Sequence, residues 1–459
     1  MSTRIYFALA LCLSLIACGG GGSSSSATLP KAQATMFDLF PNTSGSHRTV
    51  SDIGDLATDN AFFNSVGSNG RACITCHQPA LDWTITPAFV RERFDATSGT
   101  DPLFRTVDGS NSPNADVSTV KARRDAYNML ISKGLIRVGL PIPNGAEFTL
   151  ETVEDPYGFA SAKELSLFRR PLPTTNLKFL STVMWDGRES LAGQTLHDNL
   201  SHQANSATRG HAQSARDLTP DEHDQIVAFE KSLFTAQVFD NAATKVDAEG
   251  AQAGPDTLAS QDFFIGINDP LGNNPTGKTF DPNAFHLFDA WANLVGTDAT
   301  AEARRAAARG QALFNTKPIS IAGVKGLNDE LGLAAIAGTC TTCHDAPNVG
   351  NHSVPAPLDL GLSDASRRTP DMPLYTLRCT ATGEVVKTTD PGRALVTGKC
   401  KDIGRFKGPI LRGLAARAPY FHNGFAADLQ AAVDFYNTRF NIGLSDAEKS
   451  DLIAFLRAL

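Results

Sequence analysis

Apolar residues recur at helical spacing in two segments of the chain that align with each other without gaps. Residues 218–233 and 444–459 each begin with a leucine, then a hydroxyl residue followed three positions later by a glutamate, the pattern of a helix capping box. Apolar side chains then follow at spacings of three or four residues. They are Ile226, Phe229 and Leu233 in the first segment and Leu452, Phe455 and Leu459 in the second. The repeat predicts two equivalent helices and two related halves of the chain.

The rest of the hydrophobic pattern adds helices but no strands. Residues 428–439 predict a helix with one apolar stripe formed by Leu429, Ala432, Val433, Tyr436 and, just beyond it, Phe440. Residues 95–160 are rich in Gly, Pro, Asp and Asn and predict a long loop region with one helix near residues 119–133. No run alternates apolar and polar residues between turn signals. The pattern therefore predicts an all-α fold with long loops and little strand.

A short apolar run at residues 5–17 stands behind Arg4. It is too short to span a bilayer, which needs about 20 residues, and it is typical of a secretory signal. It ends in Leu-Ile-Ala-Cys18, which resembles the bacterial lipobox; an ordinary signal with a chance cysteine is the alternative. Residues 1–18 are predicted to be a lipoprotein signal peptide, and residues 19–34 a Gly/Ser-rich tether. The glycine after Cys18 favours outer-membrane sorting, so we expect a periplasmic protein that meets the membrane only through its lipid anchor.

Composition excludes two classes of protein. The 459 residues include 42% hydrophobic and 19% charged residues, too apolar for a disordered chain. Lys and Arg number 41 against 48 Asp and Glu, a formal net charge of -7. A nucleic-acid binder needs a concentrated basic face, so we expect no nucleic-acid partner.

The motif Cys-x-x-Cys-His occurs twice, at residues 73–77 and 340–344. Its two thiols can form thioethers with the vinyl groups of haem, and its histidine can be the proximal iron ligand. A structural zinc site needs four ligands, and neither motif has a second Cys/His pair nearby. A thioredoxin-like site would need a βαβ context, which is missing. The sequence therefore predicts two covalently bound haem c groups, held by Cys73, Cys76, His77, Cys340, Cys343 and His344.

The two motifs divide the chain into tandem cytochrome c-like haem domains. We expect an N-terminal domain at residues 35–249, an inter-domain linker at 250–300 and a C-terminal domain at 301–459. Of the remaining cysteines, Cys379 and Cys400 enclose 20 residues. In an oxidising compartment a disulfide between them is expected; two separate buried thiols are the alternative.

The sixth iron positions decide between an electron carrier and a catalyst. After His77 the next histidine is His197, so the first haem is predicted to have an open distal face, unless Met129 or Met184 closes it. For the second haem, Met372 lies in a loop, whereas Tyr436 faces inward on its helical stripe. A phenolate ligand would favour ferric and higher oxidation states; a plain core tyrosine is the alternative.

With these motifs the chain resembles the bacterial di-haem cytochrome c peroxidase and MauG family over nearly its whole mature length. The matching pieces are the two Cys-x-x-Cys-His motifs, Met-Trp-Asp-Gly-Arg at residues 184–188, and Ala-Pro-Tyr-Phe-His-Asn-Gly at 418–424. The resemblance implies a peroxidatic N-terminal haem, a C-terminal haem that supplies electrons, and a relay through Trp185. It also implies Tyr436 as axial ligand, as in the MauG-like branch, and a calcium ion between the domains.

The chain departs from this family after the Trp-Asp-Gly-Arg turn. The family's glutamine corresponds to Gln194, one residue early, and the following proline and catalytic glutamate are not recognisable. A histidine could replace that glutamate as general base, and we expect His202 in this role, with His197 or His211 as alternatives. A solvent-facing polar helix is the competing interpretation.

The resulting hypothesis is a di-haem c-type peroxidase with hydrogen peroxide as substrate at the N-terminal haem. Electrons would pass through Trp185 from the C-terminal haem and from a small donor protein, either a cytochrome c or a cupredoxin, or from a protein substrate. A non-catalytic di-haem electron carrier and a di-haem oxygenase of the rubber-cleaving type are the alternatives.

Overall fold

The computed structural model describes residues 38–54 and 59–459. The predicted signal peptide, Cys18 and the tether lie outside the described residues, and their roles stay predictions. None of the helices in the described part of the chain is long and apolar enough to cross a membrane.

Helices make up 31% of the structure and carry the predicted repeat. Their bounds are α1 Pro87–Thr97, α2 Val120–Ala126, α3 Asn128–Lys133, α4 Leu196–Gly210, α5 Pro220–Lys231, α6 Pro255–Ala259, α7 Ala299–Thr316, α8 Asn328–Leu331, α9 Ala394–Thr397, α10 Leu429–Arg439 and α11 Asp446–Arg457.

The helices expected from the sequence are present. Helices α5 and α11 begin at Thr219 and Ser445, and each closes a capping box with the glutamate three residues later. Helix α10 begins after Asp428, whose carboxylate accepts the N–H of Ala431 at 2.8 Å. The helix expected near residues 119–133 is divided at Tyr127 into α2 and α3. The hydrophobic pattern and the cap residues therefore place these helices within a few residues.

The prediction of an all-α fold is wrong, because strands make up 16% of the structure and form four sheets. All the pairings are antiparallel, in the orders β1-β2-β6-β7, β11-β10-β4, β3-β5 and β8-β9. The strands are β1 Phe40–Asn42, β2 Gly45–Ser51, β3 Ile136–Leu140, β4 Phe148–Glu154, β5 Leu165–Arg169, β6 Leu233–Asp240, β7 Thr244–Lys245, β8 Ile319–Ala322, β9 Ala335–Gly338, β10 Leu374–Cys379 and β11 Val385–Thr388.

The strands could not be recognised from alternating apolar and polar residues, for two physical reasons. Strand β5 is buried at every position and β6 at most positions, so their sequences do not alternate. In β4 the pairing with β10 shifts between Thr376 and Leu377, so that no β10 residue stands opposite Glu151 in the backbone register. Such a bulge moves the following side chains to the other face and interrupts the period of two.

The predicted loop region contributes to an apolar cluster shared with the C-terminal half. Strands β4 and β5 pack on β10, and the cluster includes Phe148, Leu167, Tyr375 and Leu377. The Tyr375 hydroxyl donates to the carbonyl of Ser166 at 2.7 Å and accepts its N–H at 2.9 Å. A disulfide joins Cys379 at the end of β10 to Cys400. Part of the predicted loop region therefore folds into the core.

Part of the expected linker at residues 250–300 is also core. Phe285 packs against Phe314 of α7 and Phe455 of α11, in both cases with ring centroids 5.2 Å apart. Phe288 stacks on the fully buried Trp291 at 4.7 Å. The domain boundaries given above stay predictions.

A buried ion triad fixes the turn at residues 184–187 to the rest of the protein. Arg169, at the end of β5, donates to Asp186 at 2.5 Å and to both carboxylate oxygens of Asp390 at 2.7 and 2.9 Å. All three side chains are buried. Gly187 has a φ of +71°, and a Cβ there would lie 2.7 Å from the guanidinium of Arg393. The position therefore requires glycine.

The triad keeps Asp186 ionised in spite of its burial. Burial by itself would raise the pKa of Asp186, but the neighbouring charges of Arg169 and Arg188 outweigh it and hold this pKa at about 2, below the ordinary 3.8. A carboxyl with a depressed pKa stabilises the fold fully above its unfolded pKa, and loses that contribution as the pH falls through its folded pKa. Asp186 therefore stabilises the protein above about pH 4.

Replacement of Asp186 by asparagine tests the triad. We expect Asp186→Asn to lower the free energy of unfolding by about 3–5 kcal/mol, because it removes one partner of a buried ion pair. Urea unfolding followed by circular dichroism measures this at pH 7, and the difference from wild type should shrink as the pH falls toward 2. Glu151→Gln is the matched control, since it removes an exposed pair with Arg378 and should cost less than about 1 kcal/mol. Equal losses for the two variants would contradict the prediction.

Candidate functional site

The two Cys-x-x-Cys-His segments fold in the same way. Each begins with a short 3₁₀ helix, Cys73–Thr75 in one segment and Cys340–Thr342 in the other. The hydroxyl of the threonine that ends each helix accepts a 3.0 Å hydrogen bond from the backbone N–H three residues earlier. The histidine N–H then donates to the carbonyl of the first cysteine, at 3.0 and 3.1 Å. This compact turn holds both thiols and the imidazole on one short piece of backbone.

Both motif histidines present a free ring nitrogen. The Nδ1 atom of His77 lies 2.9 Å from the carbonyl oxygen of Trp83, and that of His344 lies 2.6 Å from the carbonyl oxygen of Gly350. A carbonyl only accepts, so Nδ1 carries the proton and Nε2 keeps its lone pair. Burial lowers the pKa of both rings, for His77 to about 4. Each neutral imidazole is therefore prepared as a metal ligand with a fixed tautomer.

A large cavity lies beside each motif. Cavity 1 is lined by Cys73, Cys76 and His77 and has an empty volume of about 1740 Å³, its open mouth included. Cavity 2 is lined by the equivalent residues at 340–344 and has an empty volume of about 1950 Å³. Burial raises the pKa of all four thiols, for Cys76 to about 11. Paired thiols and a neutral imidazole in an apolar cavity fit a covalently bound haem.

A bare metal ion fits these cavities less well than haem does. Among residues 38–54 and 59–459 no group of three or more His, Cys, Asp or Glu side chains is arranged to hold one. The donor set therefore favours haem over zinc. The calcium ion implied by the resemblance stays a prediction.

Tyr436 lies in cavity 2 with the whole apolar stripe of α10, which is formed by Leu429, Ala432, Val433, Tyr436 and Phe440. Burial raises its pKa, and the nearby Cys343 and Cys340 add to this effect. Its hydroxyl makes no hydrogen bond to any described residue, whereas the core tyrosine Tyr375 and the cavity tyrosine Tyr420 donate to backbone carbonyls at 2.7 Å. An unsatisfied hydroxyl in the cavity fits an iron ligand better than a core role.

The methionines are less suitable as sixth ligands. Met129 and Met372 pack together with Leu135 and Phe168 in a separate apolar cluster and line neither cavity. Met184 lines cavity 1. Of the three described methionines, Met184 is thus the one that lies at the first haem site.

Cavity 1 is bounded by one face of α4. Leu200, Gln203, Ala204, Ala207 and Thr208 line it at helical spacing. Sequence reasoning missed Gln203, although its position one turn after the buried Leu200 could have indicated it.

Three of the residues considered for peroxide cleavage, Gln194, His197 and His202, do not line cavity 1. His202 is on another face of α4, half-exposed and bonded to Glu189. Gln194 is exposed in the preceding loop, and His197 is exposed near Asp224. None of the three lines cavity 1, so the structure gives no contact to support the catalytic roles predicted for Gln194 and His202.

His211 is the histidine of this segment that does line cavity 1. Its Nδ1 bonds the carboxylate of Asp108, which also pairs with Arg71. Burial opposes ionisation of Asp108, but these two neighbours outweigh it and lower its pKa. Asp108 thereby orients the imidazole and leaves Nε2 available. The charged pair Arg71–Asp108 was not foreseen, because the two residues are 37 positions apart and Asp108 lies in the predicted loop region.

Trp185 lines both cavities. Its indole N–H donates to the carbonyl of Arg170 at 2.8 Å, and Arg170 in turn donates its backbone N–H to the carbonyl of His422 at 2.6 Å. The ring of His422, the repeat counterpart of Trp185, lies 6.2 Å from the indole and stacks on Phe406 at 3.8 Å. A chain of aromatic contacts thus runs from the junction of the cavities into cavity 2.

The two repeated turns share an unusual backbone conformation. Met184 and Phe421 have φ values of +67° and +68°, and Gly187 and Gly424 have +71° and +66°. A positive φ at a non-glycine residue is uncommon. The sequence echo between residues 184–187 and 421–424 therefore reflects a true structural repeat.

Comparison with known proteins supports the same interpretation. No family model matches the sequence. The chain is 33% identical over 171 residues to cytochrome-c peroxidase IdrP1 of Pseudomonas sp. (strain SCT), a match that covers 33% of this chain and 39% of that relative. It is 31% identical over 121 residues to cytochrome c551 peroxidase of Nitrosomonas europaea, covering 26% of this chain and 30% of that relative.

A solved structure of a MauG-like protein associated with microbial copper homeostasis aligns over 95% of both chains, at 15% identity and a TM-score of 0.40. The sequence matches are closer, but they span only about two fifths of the length of the first relative.

The paired motifs, the neutral histidines and the two cavities define a c-type haem protein with two haem sites. Together with the sequence relatives, which match part of the chain, they support the resemblance to the di-haem cytochrome c peroxidase and MauG family. The expected resemblance is therefore confirmed.

Replacement of Tyr436 by phenylalanine tests its role as ligand. We expect Tyr436→Phe to change the ferric absorption and EPR spectra of the second haem and to leave those of the first unchanged, because only cavity 2 loses an oxygen donor. Tyr420→Phe is the matched control, since its hydroxyl lies at the same cavity but is bonded to the carbonyl of Leu414. An unchanged spectrum for Tyr436→Phe would remove Tyr436 from the coordination sphere.

Proposed function

We propose that this chain is a di-haem c-type peroxidase that reduces hydrogen peroxide at cavity 1. The observation that carries the proposal is the pair of cavities, each with a neutral motif histidine, that meet at Trp185. When bound, the two haem c groups supply the redox chemistry, with peroxide reduction at one iron and electron storage at the other. The balanced reaction takes up two protons and two electrons for each peroxide and releases two water molecules.

The chain's own residues hold and orient these groups. Cys73, Cys76, Cys340 and Cys343 supply the thioether sulfurs, and the carbonyls behind the two histidines keep Nε2 directed at the metal. As an iron ligand Tyr436 would supply an anionic oxygen at cavity 2, which would favour high oxidation states. Cavity 1 receives no such ligand from Met129 or Met372, which favours an open position for substrate there.

Proton transfer at cavity 1 is assigned to His211. Its Nδ1 proton is held by Asp108, so Nε2 accepts a proton from one peroxide oxygen and returns it to the other. Gln203 on α4 adds a neutral hydrogen-bonding group to the same wall. Trp185 offers an oxidisable ring between the cavities, in contact with the ring of His422.

The partners and location follow from the family and from the N-terminal sequence. We propose that a small cytochrome c or cupredoxin, or an aromatic residue of a protein substrate, supplies the electrons, and that calcium binds between the two halves. The apolar run at residues 5–17 and Cys18 support a periplasmic lipoprotein, anchored to the outer membrane.

Addition of one equivalent of peroxide to the purified ferric protein tests the function. We expect a rapid change in the absorption and EPR spectra, because a haem held by His77 in cavity 1 would have room beside it for peroxide. Two six-coordinate low-spin haems that do not respond to peroxide would establish an electron carrier instead. Stable binding of dioxygen at the first haem would favour an oxygenase of the rubber-cleaving type.

Replacement of Trp185 by phenylalanine tests the relay. We expect Trp185→Phe to keep the initial reaction with peroxide and to slow the subsequent spectral change at the second haem, because the oxidisable ring between the cavities is lost. Stopped-flow absorption resolves the two steps. Trp291→Phe is the matched control, since Trp291 is fully buried, bonded to the carbonyl of Ala248 and lines neither cavity. Equal second-step rates in both variants would contradict a relay through Trp185.

A further inference from the structure

The positively charged side chains that line the cavities fall into two groups. Those of the first group each face a carboxylate: Arg71 faces Asp108, Arg169 faces Asp186 and Asp390, Arg188 faces Asp186, and Lys317 faces Glu448. The second group consists of Arg170, Lys407 and Arg412, which pair with no carboxylate among the described residues, and Arg417, whose Nε lies 3.3 Å from the carboxylate of the buried Asp82. The protein thus buries positive charge that its own chain does not balance.

The arginines of the second group bond to backbone carbonyls. One of them, Arg417, also pairs with Asp82, a carboxyl whose pKa is raised. Arg170 donates to the carbonyls of Ile85 at 2.7 Å and Gly134 at 3.1 Å, and Arg412 donates to that of Asn348 at 2.9 Å. Carbonyls satisfy the donors but contribute no net charge. Burial raises the pKa of Asp82 well above its ordinary value, so this carboxyl compensates Arg417 only in part.

Of these cations, Lys407 has the fewest partners for its charge. The residue is 8% exposed, and its ammonium group makes no hydrogen bond to any described residue. Its backbone N–H donates to the carbonyl of Trp185 at 2.9 Å, which holds the two backbones together. Burial, with a smaller contribution from the charge of Arg417, lowers its pKa to about 7. A buried amine without a partner is costly unless an anion from outside the chain completes the site.

The unbalanced charge lies where the two cavities meet. Arg170, Lys407 and Arg417 line both cavities, and so does Trp185. Arg412 lines cavity 1 alone. A ligand group that reached this junction from either side would meet the same three cations.

We propose that Arg170, Lys407 and Arg417 form a shared anion clamp that binds one propionate carboxylate from each of the two haem c groups, beside Trp185. This inference rests on the proposed function, since it requires both haems. The thioether bonds use the vinyl edge of each haem, so the propionate edge on the opposite side is free to reach the junction. The carboxylates supply the negative charge that the chain lacks there.

The clamp couples both haem potentials to one side chain. A positive charge near iron disfavours the ferric state relative to the ferrous state and therefore raises the midpoint potential. Because Lys407 lines both cavities, its charge acts on both haems. Lys317 lines cavity 2 alone and is already paired with Glu448.

The test is a spectroelectrochemical titration of the full chain with both haems bound. We expect Lys407→Met to shift the midpoint potentials of both haems to more negative values, and Lys407→Arg to keep both near those of the wild type. The matched control Lys317→Met should leave the first haem unchanged. Potentials that do not move in Lys407→Met, that move at one haem alone, or that move equally in Lys407→Arg would overturn the clamp.

A second variant keeps the proposal testable if Lys407→Met does not accumulate with two haems. Arg417→Gln should also lower both potentials, and the absence of a shift at both haems would overturn the clamp. Failure of the clamp differs from failure of the proposed function. If the pyridine haemochrome spectrum of the wild type shows no covalent haem, both proposals fail, whereas two haems with unshifted potentials in the variants remove the clamp alone.

Discussion

The structure depends on one buried ion triad, in which Arg169 joins Asp186 to Asp390. Arg169 ends a fully buried strand, Asp186 follows Trp185 in a strained turn, and Asp390 belongs to the C-terminal half. Three segments that are distant in sequence are thereby held together by charge. Such a triad contributes little net stability over an apolar equivalent, but it specifies geometry, because any displacement leaves a buried charge unpaired. Here the geometry it specifies is the position of Trp185 between the two cavities.

The charges at the two cavities have different roles. The cations paired with carboxylates form part of the scaffold, and one of them, Arg71, orients the imidazole of His211 through Asp108. The cations without carboxylates gather at the junction beside Trp185. The protein thus balances charge internally where it needs rigidity and leaves it unbalanced where a cofactor carries the opposite charge.

The sequence was sufficient for the features that depend on local residues. The capping boxes of α5 and α11, the stripe of α10 and the paired motifs all rest on neighbours within one or two helical turns. The strands could not be predicted in the same way, because β4 pairs with β10 across the two halves and a bulge interrupts its alternation. The cations Arg170, Lys407 and Arg417 were missed for a similar reason, since their significance lies in the missing partners, and only the folded arrangement shows those.

The pairing of β4 with β10 also has a consequence for biogenesis. Tyr375 is bonded to Ser166 across 209 positions of chain, so the loop that this contact closes contains nearly half of the 459 residues. Contacts of this span form late, because the entropy of closing the loop must be met first. Cavity 1 is walled in part by Lys407, Ile410 and Arg412, which come later still in the chain. During folding, cavity 1 therefore stays open at Cys73 and Cys76 until the C-terminal segment docks and encloses it.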